Sequence, residues 1–456
     1  MTRPVSRRAG TVLVATAALA ALVLASCSPQ VARPATTGAA TTTTPAVGAG
    51  ATDTAARTAT AADPGTSTAG GTSTAGGPSA TGSPTGDPSV SGGADASPGA
   101  TATAADPTSA PGTVTPLPGM PPVLDAHDVY AADRPGALSP VVRGYPSIVY
   151  VPNSGGDTVT ELDPVSGNVL RTLVTGREPQ HVVPSWDLKT LWVNNDLANT
   201  LTALDPRTGL PIRTVAVHDP YNLYFTPDGR YAVVMASADR QIVFRDAHTM
   251  AVHKAVPAGC DGVNHADFST DGRYFLVSCE FSGQVLKVDT ASERVVARLR
   301  LPRPSMPQDV KMAPDGSRFF IADMDHDGVW VLDGASFRVT GFLHTGRGAH
   351  GLYVTRDSKR LLVTNRGEGS ISEVSFATGR VVRRIVFPGG GSPDMGGLSA
   401  DGTRFWVSGR YDDVVYEVSL VTGKLLRRIK VGAAPHGLCV FPQPGRYSLG
   451  HTGVFR

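Results

Sequence analysis

Lysine is missing from the first 119 residues, which carry five arginines and five aspartates, and no aromatic residue occurs between Ser28 and Pro118. A stretch built almost wholly of Thr, Ala, Gly, Ser and Pro cannot bury enough apolar surface to offset its ordering entropy, which excludes a folded N-terminal domain. Surplus charge is missing too. The 456 residues hold 41 Lys+Arg against 39 Asp+Glu, a net +2, which excludes the basic balance of a protein built to bind nucleic acid. Four cysteines are too few for a disulfide scaffold or a multi-cluster iron–sulfur protein. No Gly-x-Ser-x-Gly elbow, Walker-type or Rossmann glycine loop, or Cys-x-x-Cys-His haem attachment is present. Pro388-Gly-Gly-Gly-Ser392 reads as a flexible loop rather than a phosphate cradle.

What the N-terminus does contain is an address. Arg3, Arg7 and Arg8 precede the apolar run from Thr11 to Leu24, and Leu24-Ala25-Ser26-Cys27 follows. The run is shorter than the ~20 apolar residues of a membrane span and has no charged stop beyond it. Basic, apolar and small-residue regions in this order form a secretory signal. Leu-Ala-Ser-Cys resembles a bacterial lipobox, which implies lipidation of Cys27 and anchoring to the outer leaflet of the cell membrane. Ser6-Arg7-Arg8 lacks a following Phe-Leu-Lys, so Sec and twin-arginine export both remain open. The reading is a signal peptide over 1–26, a tether over 27–119 and a folded domain over 120–456. About ninety residues of flexible coil span roughly 50–60 Å, enough to lift that domain off a bilayer. The Ser/Thr/Pro bias also suits O-glycosylation.

Beyond Pro121 the chain is periodic. Pro179, Pro220, Val263, Pro307, Ala349, Pro393 and Pro435 occupy equivalent places, at spacings of 41, 43, 44, 42, 44 and 42. Each unit has four short strands, the signature of propeller blades. Its first hairpin turns on Asp-Gly in Pro227-Asp-Gly-Arg230, Thr270-Asp-Gly-Arg273, Pro314-Asp-Gly-Ser317 and Ala400-Asp-Gly-Thr403. No stretch past residue 121 has a helical apolar period, so the domain is expected to be all-β: a seven-bladed β-propeller of four-stranded antiparallel blades. Eight segments qualify as second strands, because both Ile148–Val151 and Arg446-Tyr-Ser-Leu449 do. Gly437–Val440 is expected to complete the first blade as its innermost strand, with the tail 446–456 over that seam.

Val149-Tyr150-Val151-Pro152-Asn153, Leu191-Trp192-Val193-Asn194-Asn195 and Leu362-Val363-Thr364-Asn365 resemble the Tyr-Val-Thr-Asn strand of the YVTN-repeat β-propellers. Val159-Thr160-Glu161-Leu162-Asp163 and Thr202-Ala203-Leu204-Asp205 are similar to the strand that follows it there. The resemblance covers about residues 145–441. Related propellers include surface-layer-type proteins, the haem d1-binding domain of nitrite reductases and lactonase-like enzymes, so it implies a fold far more than an activity.

Antiparallel order puts the loops before strand A and after strand B on one face of each blade, here called upper. His181, Asn222, His265, Asp309, His350, Asp394 and His436 begin the innermost strands, and Arg366 and Arg410 follow second strands. These nine residues are expected to ring the upper channel mouth. One reading is that they cap loops and bond the backbone of the next blade. The other is a binding site for a small molecule or an envelope protein, without catalysis and with no cofactor required. Within it, His181, His265 and Asp309 are candidate metal ligands, and a haem- or quinone-type cofactor or a lactonase-like activity is the alternative. Arg366 and Arg410 are suited to gripping a carboxylate or phosphate, or to pairing with Glu280, Asp323 or Asp412. Cys260 and Cys279 fall on the upper face of one blade, where a disulfide is expected outside the cytoplasm, and Cys439 reads as core. A monomer is expected.

Overall fold

The structure, a computed structural model, describes residues 115–456. The leader, Cys27 and the tether up to residue 114 lie outside the described residues.

Each hairpin closes through the residue types that marked it. In the first turns, Asp228, Asp271, Asp315 and Asp401 accept from the backbone N–H two residues on, while the following glycines take φ of +67° to +72°. The terminal asparagine of the second strand braces the third. Asn195 Nδ2 donates to the Thr200 and Thr202 hydroxyls, Asn153 does the same to Thr158 and Thr160, and Asn365 to Ser370 and Ser372.

The chain is a seven-bladed propeller of four-stranded antiparallel blades. Blades 2 to 7 each use four consecutive strands, over residues 179–216, 222–257, 263–300, 307–344, 349–386 and 393–430. Blade 1 takes Ile148–Asn153, Thr158–Leu162 and Val169–Val174 from one end of the domain and Cys439–Phe441 from the other. Ile148 lies opposite Phe441 and Tyr150 opposite Cys439, so the two ends of the repeat are stitched together. Outer strands such as Arg294–Arg300 alternate exposed and half-buried residues, whereas inner strands such as Val263–Phe268 are buried on both sides. Polar groups on those inner strands therefore need partners. Many find them in the next blade: Asp267 accepts from the Met312 N–H, Asp309 from Leu352, and the Tyr353 hydroxyl from Gly396.

Two segments outside the blades close the lower end of the channel. Residues 115–147 run beneath the blades, with the Leu117 N–H donating to Asp271 and the Tyr130 hydroxyl to the Met312 carbonyl. Leu117, assigned from sequence to the tether, is buried against blade 4's first turn. The tail 446–456 departs from its expected place over the seam. It rises into the channel as a narrow hairpin, with Ser448 opposite Phe455 and the Phe225 N–H donating to the Leu449 carbonyl. Arg446-Tyr-Ser-Leu449 is thus a limb of this plug and not a blade strand. Gly450, at φ +97°, makes the entry fit, since a Cβ there would sit 2.5 Å from the Leu223 carbonyl oxygen. Arg456 at the plug's foot meets Asp267 at 3.0 Å.

A buried imidazole cluster at the channel hub

The inner strands bring four histidines to one level of the channel, and the plug adds a fifth. Ring centroids lie 4.9 Å apart for His181 and His436, 5.8 Å for His181 and His265, 6.2 Å for His265 and His350, and 6.1 Å for His350 and His436. His451, at the plug's tip, lies 5.3 Å from His181 and 5.1 Å from His265. The site lies deeper than the channel mouth expected from sequence. All five rings are at most 3% exposed, because the plug fills the space beneath them. Packing is tight: a Cβ on Gly437 would meet His181 Cδ2 at 2.1 Å.

The other expected residues divide. Asp394 is gathered in, with Oδ2 2.6 Å from His436 Nδ1 and Oδ1 3.1 Å from His350 Nδ1 and 3.0 Å from Arg366 Nη1. Asn222 presents its side-chain amide to His451 Nδ1 at 3.1 Å. Asp309 lies 3.9 Å from His451 Nε2, yet both its oxygens accept backbone N–H groups, from Val310 and Leu352, and Lys311 stands 4.0 Å away. Arg366 pairs with Asp394. Arg410 stays on the rim, donating to the Ser154 hydroxyl and the Ala434 carbonyl, so the two arginines do not form one grip. Cys260 and Cys279 are disulfide-bonded, Cα atoms 6.0 Å apart, and Cys439 is a buried thiol. Beside that disulfide, away from the hub, Arg240, Arg300, Arg303 and Phe281 line a cleft of about 610 Å³.

A family model described as a YNCE-like beta-propeller matches residues 133–446. The chain belongs to the YNCE-like β-propeller family. No curated protein matches the sequence. Among solved structures, this YNCE-like propeller is similar to a functionally unknown protein from Desulfotomaculum acetoxidans, at 14% identity and a TM-score of 0.55, covering 65% of this chain and 99% of that one. It is also similar to a putative 6-phosphogluconolactonase from Bacteroides fragilis, at 16% identity and a TM-score of 0.53, covering 65% and 98%. Dihydro-haem d1 dehydrogenase NirN matches at 16% identity and a TM-score of 0.50, covering 67% and 76%. Identities this low carry the fold alone.

Chemistry in this YNCE-like hub is set by desolvation. Burial holds His181, His265, His350 and His451 well below the ordinary imidazole range, and lowers His436 despite the neighbouring Asp394. Burial alone would raise Asp394, but His350, His436 and Arg366 together keep it well below the carboxylate range. Asp309 is pushed up to about 6 by burial, against the pull of Lys311. The rings are therefore neutral, and neutral imidazole is a metal ligand. His181 donates from Nδ1 to the Tyr221 carbonyl at 2.9 Å, which leaves its Nε2 lone pair facing the channel. Among the described residues, His181 Nε2, both nitrogens of His265 and His451 Nε2 have no hydrogen-bond partner. One ligand atom from each of these three residues lies within 4.8 Å of the other two. With ring centres this close, no haem macrocycle fits among the histidines.

His451 was not a candidate from sequence. Its signal is faint: Gly450 and Gly453 flank His451-Thr452 in a tail with no counterpart in the repeat.

Proposed function

We propose that this protein is an extracytoplasmic, lipid-anchored propeller whose hub binds one transition-metal ion through His181, His265 and His451. The supporting observation is the set of buried imidazole nitrogens from two inner strands and the plug, without hydrogen-bond partners among the described residues and within 4.8 Å of one another. Buried polar atoms in folded proteins are mostly paired, and leaving one unpaired costs about 1–3 kcal/mol. Several in one place are better explained as ligands than as packing. Corners of a triangle with sides of at most 4.8 Å lie within about 2.8 Å of its centre, against about 2.0–2.1 Å for a metal–imidazole bond. Closure therefore moves each ring by less than about 1 Å.

The wider reading of a ligand or envelope partner held at the upper face narrows here to an ion, because buried rings offer no surface to a larger partner. Asp309 fits a structural role, bonding the backbone of the next blade, better than a place in the ligand set. Elemental analysis of the purified full chain, followed by titration of the metal-free form, tests the hub. One equivalent of metal is expected, and His181→Ala with His265→Ala should abolish it. Absence of stoichiometric binding by the folded chain would reject the reading. For the anchor, Cys27→Ser should move the protein from the membrane fraction to the soluble one.

A further inference from the structure

We infer that the metal this hub selects is monovalent copper, held by three neutral nitrogens, in preference to zinc or divalent copper. The inference rests on the metal-binding reading above and adds the charge and class of the ion.

The argument is electrostatic. The cost of taking an ion out of water into a low-dielectric interior scales with the square of its charge, so a dication costs about four times as much as a monocation. Anionic ligands usually meet that cost, and this hub has none to spare. Asp394 is matched with Arg366 at 3.0 Å, Asp267 with Arg456 at 3.0 Å, and Asp309 with Lys311 at 4.0 Å. Both Asp309 oxygens are also engaged by backbone N–H groups. The only cysteine outside the disulfide among the described residues, Cys439, lies in the inner strand of blade 1 and is absent from the ligand cluster. The donors that remain are His181, His265 and His451, all at most 1% exposed. Zinc prefers four ligands in a tetrahedron and divalent copper a tetragonal set, often completed by water or carboxylate. Three buried imidazoles suit an ion content with three donors and one positive charge.

Of the neighbouring groups, Tyr221 favours this ligand set and Asn222 opposes it. His181 already has its proton on the nitrogen that faces away, held by the Tyr221 carbonyl. His451 meets the Asn222 amide at Nδ1, and amide orientation sets which ring nitrogen keeps the proton. Asn222 Oδ1 accepts the Leu223 N–H, which turns Nδ2 toward His451 Nδ1, so binding at Nε2 moves the ring proton to Nδ1 at the expense of that contact. His350 and His436 are tied to Asp394 and stand outside the triangle.

The full chain, stripped of metal, is titrated in three separate experiments. Copper(I) is supplied anaerobically with ascorbate and a chromophoric copper(I) chelator as competitor, and copper(II) and zinc(II) are supplied alone. One copper(I) per chain is expected, bound at least about 100-fold more tightly than zinc(II), with an X-ray absorption spectrum showing only nitrogen scatterers. His451→Gln should weaken copper(I) by about 100-fold. His181→Leu should do the same from an inner strand, so the test survives if either variant fails to fold. His127→Ala, on the exposed lower segment, should change nothing. Tighter or equal binding of zinc(II) or copper(II) overturns the inference while leaving the metal-binding reading intact. Failure of all three ions to bind stoichiometrically overturns both.

Discussion

The two ends of the propeller channel are closed by opposite means. At the lower end every buried cation has a counter-ion: Arg456 meets Asp267, Arg356 meets Asp133 at 3.5 Å, and Arg356 also donates to Gln443. At the upper end Asp394 meets Arg366, but five imidazoles crowd beside them, and several of their nitrogens face one another without a partner among the described residues. The lower end also leaves single atoms without a hydrogen-bond partner, Asp133 Oδ1 and the Tyr447 hydroxyl among them, but among the described residues only the hub gathers three ligand atoms within 4.8 Å of one another. The contrast lies in that convergence, which is the observation behind the proposed metal site.

The comparison can be broken most strongly with acid. Five buried histidines have pKa values held down by burial, whereas the unfolded chain takes up a proton at each near pH 6.5. Below that pH the unfolded state binds more protons, so stability falls as pH drops, by up to about 1.4 kcal/mol per unit for each ring. Asp133 and Asp309, pushed up to about 6, and Asp196, pushed up to about 8, act in the opposite sense, as do Glu161, Glu178, Asp219 and Asp325, which burial also raises, so part of the slope from the five rings is offset. The melting temperature of the metal-free chain should still drop from pH 6.5 to 5, and by less in a His265→Leu chain, which has lost one of the five rings. A level profile across that interval would show that the rings are not buried as described.

At the lower end, Arg356→Met strands the Asp133 carboxylate and should cost about 3–5 kcal/mol in denaturant unfolding. A loss under 1 kcal/mol would mean that this pair is dispensable. Gly450→Ala tests the join between the two ends. Its Cβ meets the Leu223 carbonyl at 2.5 Å in a left-handed conformation, so the plug tip should be displaced, costing roughly 1–3 kcal/mol. Metal affinity should fall with it, since His451 is the next residue, and unaltered affinity would remove His451 from the ligand set. The smallest effect, and of opposite sign, is expected for His265→Leu in the metal-free chain. Replacing a ring whose two nitrogens have no hydrogen-bond partner by an apolar side chain should leave the midpoint unchanged or raise it by up to about 1 kcal/mol. Destabilisation above 2 kcal/mol would assign His265 to the fold.

The repeat was readable from sequence because each signal is local. Asp-Gly turns, the asparagine that ends the second strand and the spacing of Pro179, Pro220, Val263 and Pro307 all act within one blade. The register of His181, His265, His350 and His436 was readable for the same reason, since copies of one position in a ring must share a level. Burial was not. The residues that begin the inner strands are expected from sequence at a channel mouth, and it is the plug, a tertiary feature with no repeat to compare it with, that buries them. His451 was lost with it. Asp309 occupies the expected register, but its oxygens turn to the backbone of Val310 and Leu352, a choice made by neighbouring strands rather than by its own segment.

Blade 1 has an implication for biogenesis. Its central strand, Cys439–Phe441, leaves the ribosome after six complete blades, and Ile148–Asn153 must wait with one edge bare until it arrives. A pairing of such long sequence separation is slow to find. His436 and His451, on either side of that strand, are also late arrivals, so no earlier stage of synthesis can assemble the five-ring hub. Whatever that hub holds must be acquired after the circle is sealed or at the moment of sealing.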